Sequence, residues 1–115
     1  MGDIEEHLKQ GIAFKIEGRY DEATAELAAA LAMDDSHAEC HRQLGLVYGF
    51  TGLFDESLEE LKKAIELNPE SLDAKNDLGM TYAMLGMYDE AKVEFLTVLE
   101  ADPGNETAQK QMVYF

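Results

Sequence analysis

The chain has 115 residues, 46% of them apolar, with 24 acidic against 9 basic side chains and a net charge of −15. That length suits one domain, and the apolar fraction supplies a core, so the charge does not signal disorder. The excess of carboxylates repels polyanions, which sets aside direct nucleic-acid binding and disfavours an anionic membrane face.

The start, Met1-Gly2-Asp3-Ile4-Glu5-Glu6, is acidic and reads as neither a signal nor a transit peptide, and the residues after Met-Gly do not complete a myristoylation signal. From residue 4 onward the chain falls on itself at a shift of 34 residues. The first unit, 4–37, carries Gly11, Phe14, Gly18, Tyr20, Asp21-Glu22, Leu27 and Ala30. The second, 38–71, repeats them in phase as Gly45, Tyr48, Gly52, Phe54, Asp55-Glu56, Leu61 and Ala64. The third, 72–105, has Gly79, Tyr82, Gly86, Tyr88, Asp89-Glu90, Phe95 and Val98. Residues 106–115 begin a fourth unit and end in apolar Met112, Val113, Tyr114 and Phe115.

Each unit reads as two helices. In the middle unit an amphipathic helix over 38–51 stops at Gly52, which suits the left-handed conformation that closes a helix. A second helix over 55–67 opens on Asp55-Glu56, carboxylates that favour the positive end of the helix dipole and cap free N–H groups. It ends before Pro69. Linkers of a few residues make neighbouring helices antiparallel, and no segment alternates like a strand. Gly45 and Gly79 lie inside helices at a cost of about 1 kcal/mol against alanine, which implies close helix approach. The longest apolar run, Leu27 to Met33, is too short for a membrane span.

These residues resemble the tetratricopeptide repeat family over 4–115, through Leu44-Gly45, Tyr48, Gly52, Phe54, Ala64 and Pro69, and then Leu78-Gly79, Tyr82, Gly86, Tyr88, Ala91, Phe95 and Pro103. The first unit departs at Gln10 and Asp35, where leucine and proline are usual in the family. The resemblance implies an all-α, α-α solenoid: a single domain over 1–115, wound as a right-handed superhelix of three repeats with a truncated C-terminal helix. It implies a protein-binding module and not an enzyme.

Chemistry finds little footing. There is no glycine-rich phosphate loop, nucleophile elbow or Ser–His–acid pattern, so neither catalysis nor a cofactor is expected. Cys40, the single cysteine, forms no internal disulfide and fits a reducing, cytoplasmic setting. His37, Cys40 and His41 share a helical face with metal-ligand chemistry. Cys40 nevertheless aligns with Ala74 and Ala108, a packing slot; His41 with His7, Lys75 and Gln109, a merely polar one; and His37 with Ser71 and Asn105, both helix caps. No metal site is expected. Glu26, Glu60 and Glu94 recur in phase as a stripe on the second helices. Those helices face outward in the family, which offers a basic partner a convex surface.

A second apolar stripe runs along the first helices, off the face that packs on the partner helix: Leu8, Ile12 and Ile16, then Leu46 and Phe50, then Met80 and Met84, with Tyr114 next in line. Packing between successive first helices accounts for part of it. The resemblance implies that these positions line a concave groove, with small Gly49 and Ala83 leaving room for a ligand side chain. One subgroup of the family grips acidic chaperone tails with lysine, asparagine and arginine. Those positions here are Leu8, Ile12, Gln43, Asp73 and Asp77, so such tails are not the expected ligand. The expected partner is an apolar or amphipathic peptide or helix, with any basic flanks meeting Glu39, Asp73 and Asp77. Two other readings stay open. One is a self-assembling scaffold joined through the C-terminal end, and the other is a non-catalytic accessory domain of a larger protein.

Overall fold

The computed structural model describes residues 3–115, and among them there are seven helices and no strands. The helices are α1 (Ile4–Ile16), α2 (Tyr20–Met33), α3 (Ala38–Phe50), α4 (Phe54–Leu67), α5 (Leu72–Met84), α6 (Tyr88–Ala101) and α7 (Glu106–Met112). This is an all-helical repeat fold. Two compact units divide at the Pro69–Glu70 bond, one holding α1–α4 and the other α5–α7.

The starts of α1, α3, α5 and α7 are set by one device at one register. Asp3, His37, Ser71 and Asn105 each accept a hydrogen bond from the backbone N–H three residues on, at 2.8, 3.3, 3.2 and 3.0 Å. That bond satisfies one of the donors a helix start leaves unpaired. The ends of α1, α3 and α5 are equally uniform. Gly18, Gly52 and Gly86 take φ of 76°, 81° and 76°. The N–H of the next residue then reaches back to the carbonyl of Phe14, Tyr48 or Tyr82, each at 2.9 Å. This turn closes the helix on its own backbone, and only glycine adopts it without strain.

Two details differ from the sequence expectation. The first helix of the middle pair stops at Phe50, and Thr51 folds its hydroxyl onto the carbonyls of Val47 and Tyr48 at 3.2 and 3.0 Å. The Asp-Glu pairs cap nothing. The N-caps of α2, α4 and α6 are Arg19, Leu53 and Met87, none with a side-chain cap bond. The glycine turn already fixes the entering chain, so the carboxylates in the first turn favour the helix dipole without capping it, and Glu22 also pairs with Arg19.

Within each pair the helices meet at a glycine. A Cβ on Gly11 would lie 2.8 Å from Leu27 Cδ2, one on Gly45 2.8 Å from Leu61 Cγ, and one on Gly79 2.8 Å from Phe95 Cζ. Leu27, Leu61 and Phe95 are fully buried. In the α1–α4 unit Leu27 joins a core of Leu8, Ala23, Ala30, Cys40, Leu44 and Val47. Ser57, where the other pairs have alanine, donates its hydroxyl to the Gly45 carbonyl at 2.8 Å and so stays satisfied while buried.

In the α5–α7 unit the tail closes the last pair. Ala108 is buried, and the Phe115 ring packs 6.0 Å from Phe95 and 6.3 Å from Tyr88. Asn76 donates to Asn105 Oδ1 at 3.1 Å, the same oxygen that caps α7.

Gly45→Ala is expected to destabilise the chain by about 1–2 kcal/mol, because overpacking against Leu61 outweighs the gain in helix propensity. Urea unfolding checks it; an unchanged or raised midpoint would show that the pair has room for the methyl group.

Candidate peptide-binding face

The first helices of the α1–α4 unit lie side by side, and their side chains are held in place by three contacts. Lys15 Nζ donates to Gln43 Oε1 at 2.6 Å. His37 accepts the Cys40 N–H on Nδ1, which leaves the proton on Nε2 to donate to Glu5 Oε1 at 3.2 Å. Tyr20 stacks on Phe50 with ring centroids 5.9 Å apart and an interplanar angle of 29°. The stack anchors one face of Phe50, yet the residue remains 60% exposed, and Ile16 is 78% exposed. Ile12, Leu46 and Gly49 are half-buried. Leu8 departs from the expectation of a groove residue. It is 8% exposed and belongs to the core, so little more than its edge reaches a shallow hollow that it lines with Glu5, Lys9 and Ile12.

The α5–α7 unit repeats the pattern with softer side chains. Met84 is exposed, Met80 and Ala83 are half-buried, and Asp73 is exposed. Asp77 is buried. Val113 and Tyr114 are exposed at the end of the chain.

Of the acidic groups expected to greet basic flanks, Asp73 is exposed, Asp77 is buried and Glu39 is engaged. Glu39 accepts from Arg42 Nη1 on its two carboxylate oxygens, at 3.1 and 3.3 Å. The glutamate stripe of the second helices is not an outward face either. Glu26 Oε2 lies 2.8 Å from His7 Nδ1, and Glu60 Oε1 lies 2.7 Å from His41 Nδ1. Each pair joins the first helix to the second across 19 residues. His41, expected to fill a merely polar slot, is 5% exposed and sits between two acceptors, with Nε2 2.7 Å from the Asp35 carbonyl. The in-phase recurrence of His7 with Glu26 and His41 with Glu60 was the available signal.

The His37–Cys40–His41 set is distributed among other tasks: a cap, a core thiol and an inter-helix brace. Among the described residues no three His, Cys, Asp or Glu side chains are grouped to hold a metal ion. Burial, with nearby Glu5, Glu39 and Asp34 adding to it, pushes the Cys40 thiol up to about 11, away from nucleophilic or metal-binding chemistry. Burial likewise raises Tyr48, helped by Glu60 and Glu56. No helix among the described residues is long and apolar enough to cross a membrane.

Residues 51–113 match the family model described as tetratricopeptide repeat. No curated protein matches the chain significantly. Several solved structures do. The second tetratricopeptide repeat domain of human RPAP3, in complex with the HSP70 peptide SGPTIEEVD, is 25% identical with a TM-score of 0.86, over 96% of this chain and 96% of that one. The second such domain of Spaghetti (RPAP3), bound to the HSP90 peptide SRMEEVD, is 26% identical with a TM-score of 0.81, over 84% and 90%. The first domain of Spaghetti, bound to the same peptide, is 21% identical with a TM-score of 0.93, over 97% and 89%, a likeness of fold.

His41→Ala is expected to cost about 2–3 kcal/mol, because it removes the contacts with Glu60 and the Asp35 carbonyl at a buried seam. His37→Ala, which removes a cap and an exposed contact, should cost about 1 kcal/mol or less. Urea unfolding of both variants checks this; equal losses would mean that His41 braces nothing.

Proposed function

The chain belongs to the tetratricopeptide repeat family, and from that membership we propose that it is a non-catalytic protein-interaction module whose first helices bind an apolar or amphipathic peptide segment. The observation that carries the reading is the exposure of Ile16 and Phe50 on neighbouring first helices of one unit. Large apolar side chains left open together, and held by a scaffold, mark interaction surfaces. The relatives solved with chaperone peptides support peptide binding as the class of activity. Within the α1–α4 unit the site we propose comprises Ile12, Ile16, Glu39, Leu46, Gly49 and Phe50; within the α5–α7 unit Asp73, Met80, Ala83 and Met84 make a candidate face of their own. Leu8 supports the α1–α4 site from beneath. Methionines adapt to varied ligand shapes. The acidic chaperone tails of those relatives are a poor fit, because Asp73 and Asp77 stand where such tails need cations.

A second reading, association of copies through the C-terminal end, is favoured by exposed Val113 and Tyr114. Phe115 is committed to Phe95 and Tyr88 and contributes little to it. We place the protein in a reducing, cytoplasmic setting, in keeping with a buried free thiol at Cys40.

The test is Phe50→Ala, with an apolar peptide selected from a displayed random library against the full chain. Affinity should fall about 30-fold, since central aromatic anchors contribute on the order of 2 kcal/mol. Unfolding free energy should fall by no more than about 1.5 kcal/mol, the worth of the stack on Tyr20. A stability loss of about 3 kcal/mol or more, with affinity per folded molecule unchanged, would place Phe50 in the core instead.

A further inference from the structure

The negative charge of this chain is partitioned by helix. In α1, Glu5 and Glu6 are balanced by Lys9 and Lys15, and in α3 Glu39 is balanced by Arg42. By contrast α2 carries Asp21, Glu22 and Glu26 with no basic residue. In α4, five carboxylates face only Lys62 and Lys63. The unit is therefore strongly acidic on its second helices and neutral on its first. Those neutral charges are also mostly occupied: Lys15 by Gln43, Arg42 by Glu39, and Glu5 by His37, with Lys9 beside Glu5 in the same hollow.

From this we infer that the first-helix face of the α1–α4 unit takes an uncharged apolar segment of a partner protein, held by Ile16, Leu46 and Phe50 without ion pairs. The inference rests on the proposed peptide-binding role and names the chemistry of its ligand. A charged group docking on this face loses hydration and finds Arg42 held by Glu39, Lys15 by Gln43 and Glu5 by His37, so it gains little by contact. An acidic ligand is further opposed by the field of the whole chain, and a basic one is drawn toward the second helices as readily as to the first. A neutral segment alone finds its best match on the first helices.

The experiment uses three synthetic peptides with one apolar core, flanked by serine, lysine or glutamate. Each is titrated into the full chain at about 50 mM and about 500 mM salt, where screening shortens to a few ångströms. The serine-flanked peptide should change affinity less than about twofold between the two. The charged versions should differ from it at low salt and come within about threefold of it at high salt, because only the long-range field separates them. A lysine- or glutamate-flanked peptide that stays about tenfold tighter at high salt would reveal an ion pair within the site and overturn this inference while leaving peptide binding intact. Failure of all three to bind would overturn the peptide-binding role itself, and this inference with it.

Discussion

In each pair of helices a glycine of the first lies against a large apolar side chain of the second: Gly11 on Leu27, Gly45 on Leu61, Gly79 on Phe95. The rest of each pair depends on this approach. It brings the helices close enough for small Ala23, Ala30, Ala64 and Ala91 to be fully or almost fully buried. It also sets the second helix within hydrogen-bonding reach of His7 and His41. A glycine inside a helix is unfavourable by about 1 kcal/mol, and dispersion from a well-packed Leu or Phe offsets it.

That packing decides what stays open. A first helix has one face against its partner, and in the α1–α4 unit another against its neighbour. The residual face holds Ile16, Leu46 and Phe50, with the Tyr20–Phe50 stack fixing the aromatic ring before any ligand arrives. Preorganisation of this kind lowers the ordering cost of binding. Of the charges around it, Arg42 is held by Glu39 and Lys15 by Gln43, whereas the bulk of the acidity sits on second helices and turns, where it favours solubility.

Much of this was legible in the sequence because the repeat enforces it. The 34-residue shift located the pairs, and the in-phase residues Asp3, His37, Ser71 and Asn105 all prove to be caps. The register error at the second helices had a plain cause: Asp55-Glu56 has the composition of a cap, but the turn at Gly52 supplies the closure through backbone bonds. Other features were hidden because they are pairwise. Periodicity places Leu8 on the same stripe as Ile12 and Ile16, but only packing buries it. Glu60 reads as solvated until His41 is set opposite. The apolar residues of the tail look alike in sequence, whereas the fold turns Phe115 inward and leaves Val113 and Tyr114 outward.

The central claim is that binding belongs to the first helices. Amide and methyl chemical-shift mapping of the full chain, titrated with a neutral apolar peptide, tests it most directly. The account predicts that the largest changes fall on Ile16, Leu46 and Phe50, with α2 and α4 nearly unmoved. Changes concentrated on α2 or α4, with Ile16 and Phe50 silent, would contradict it.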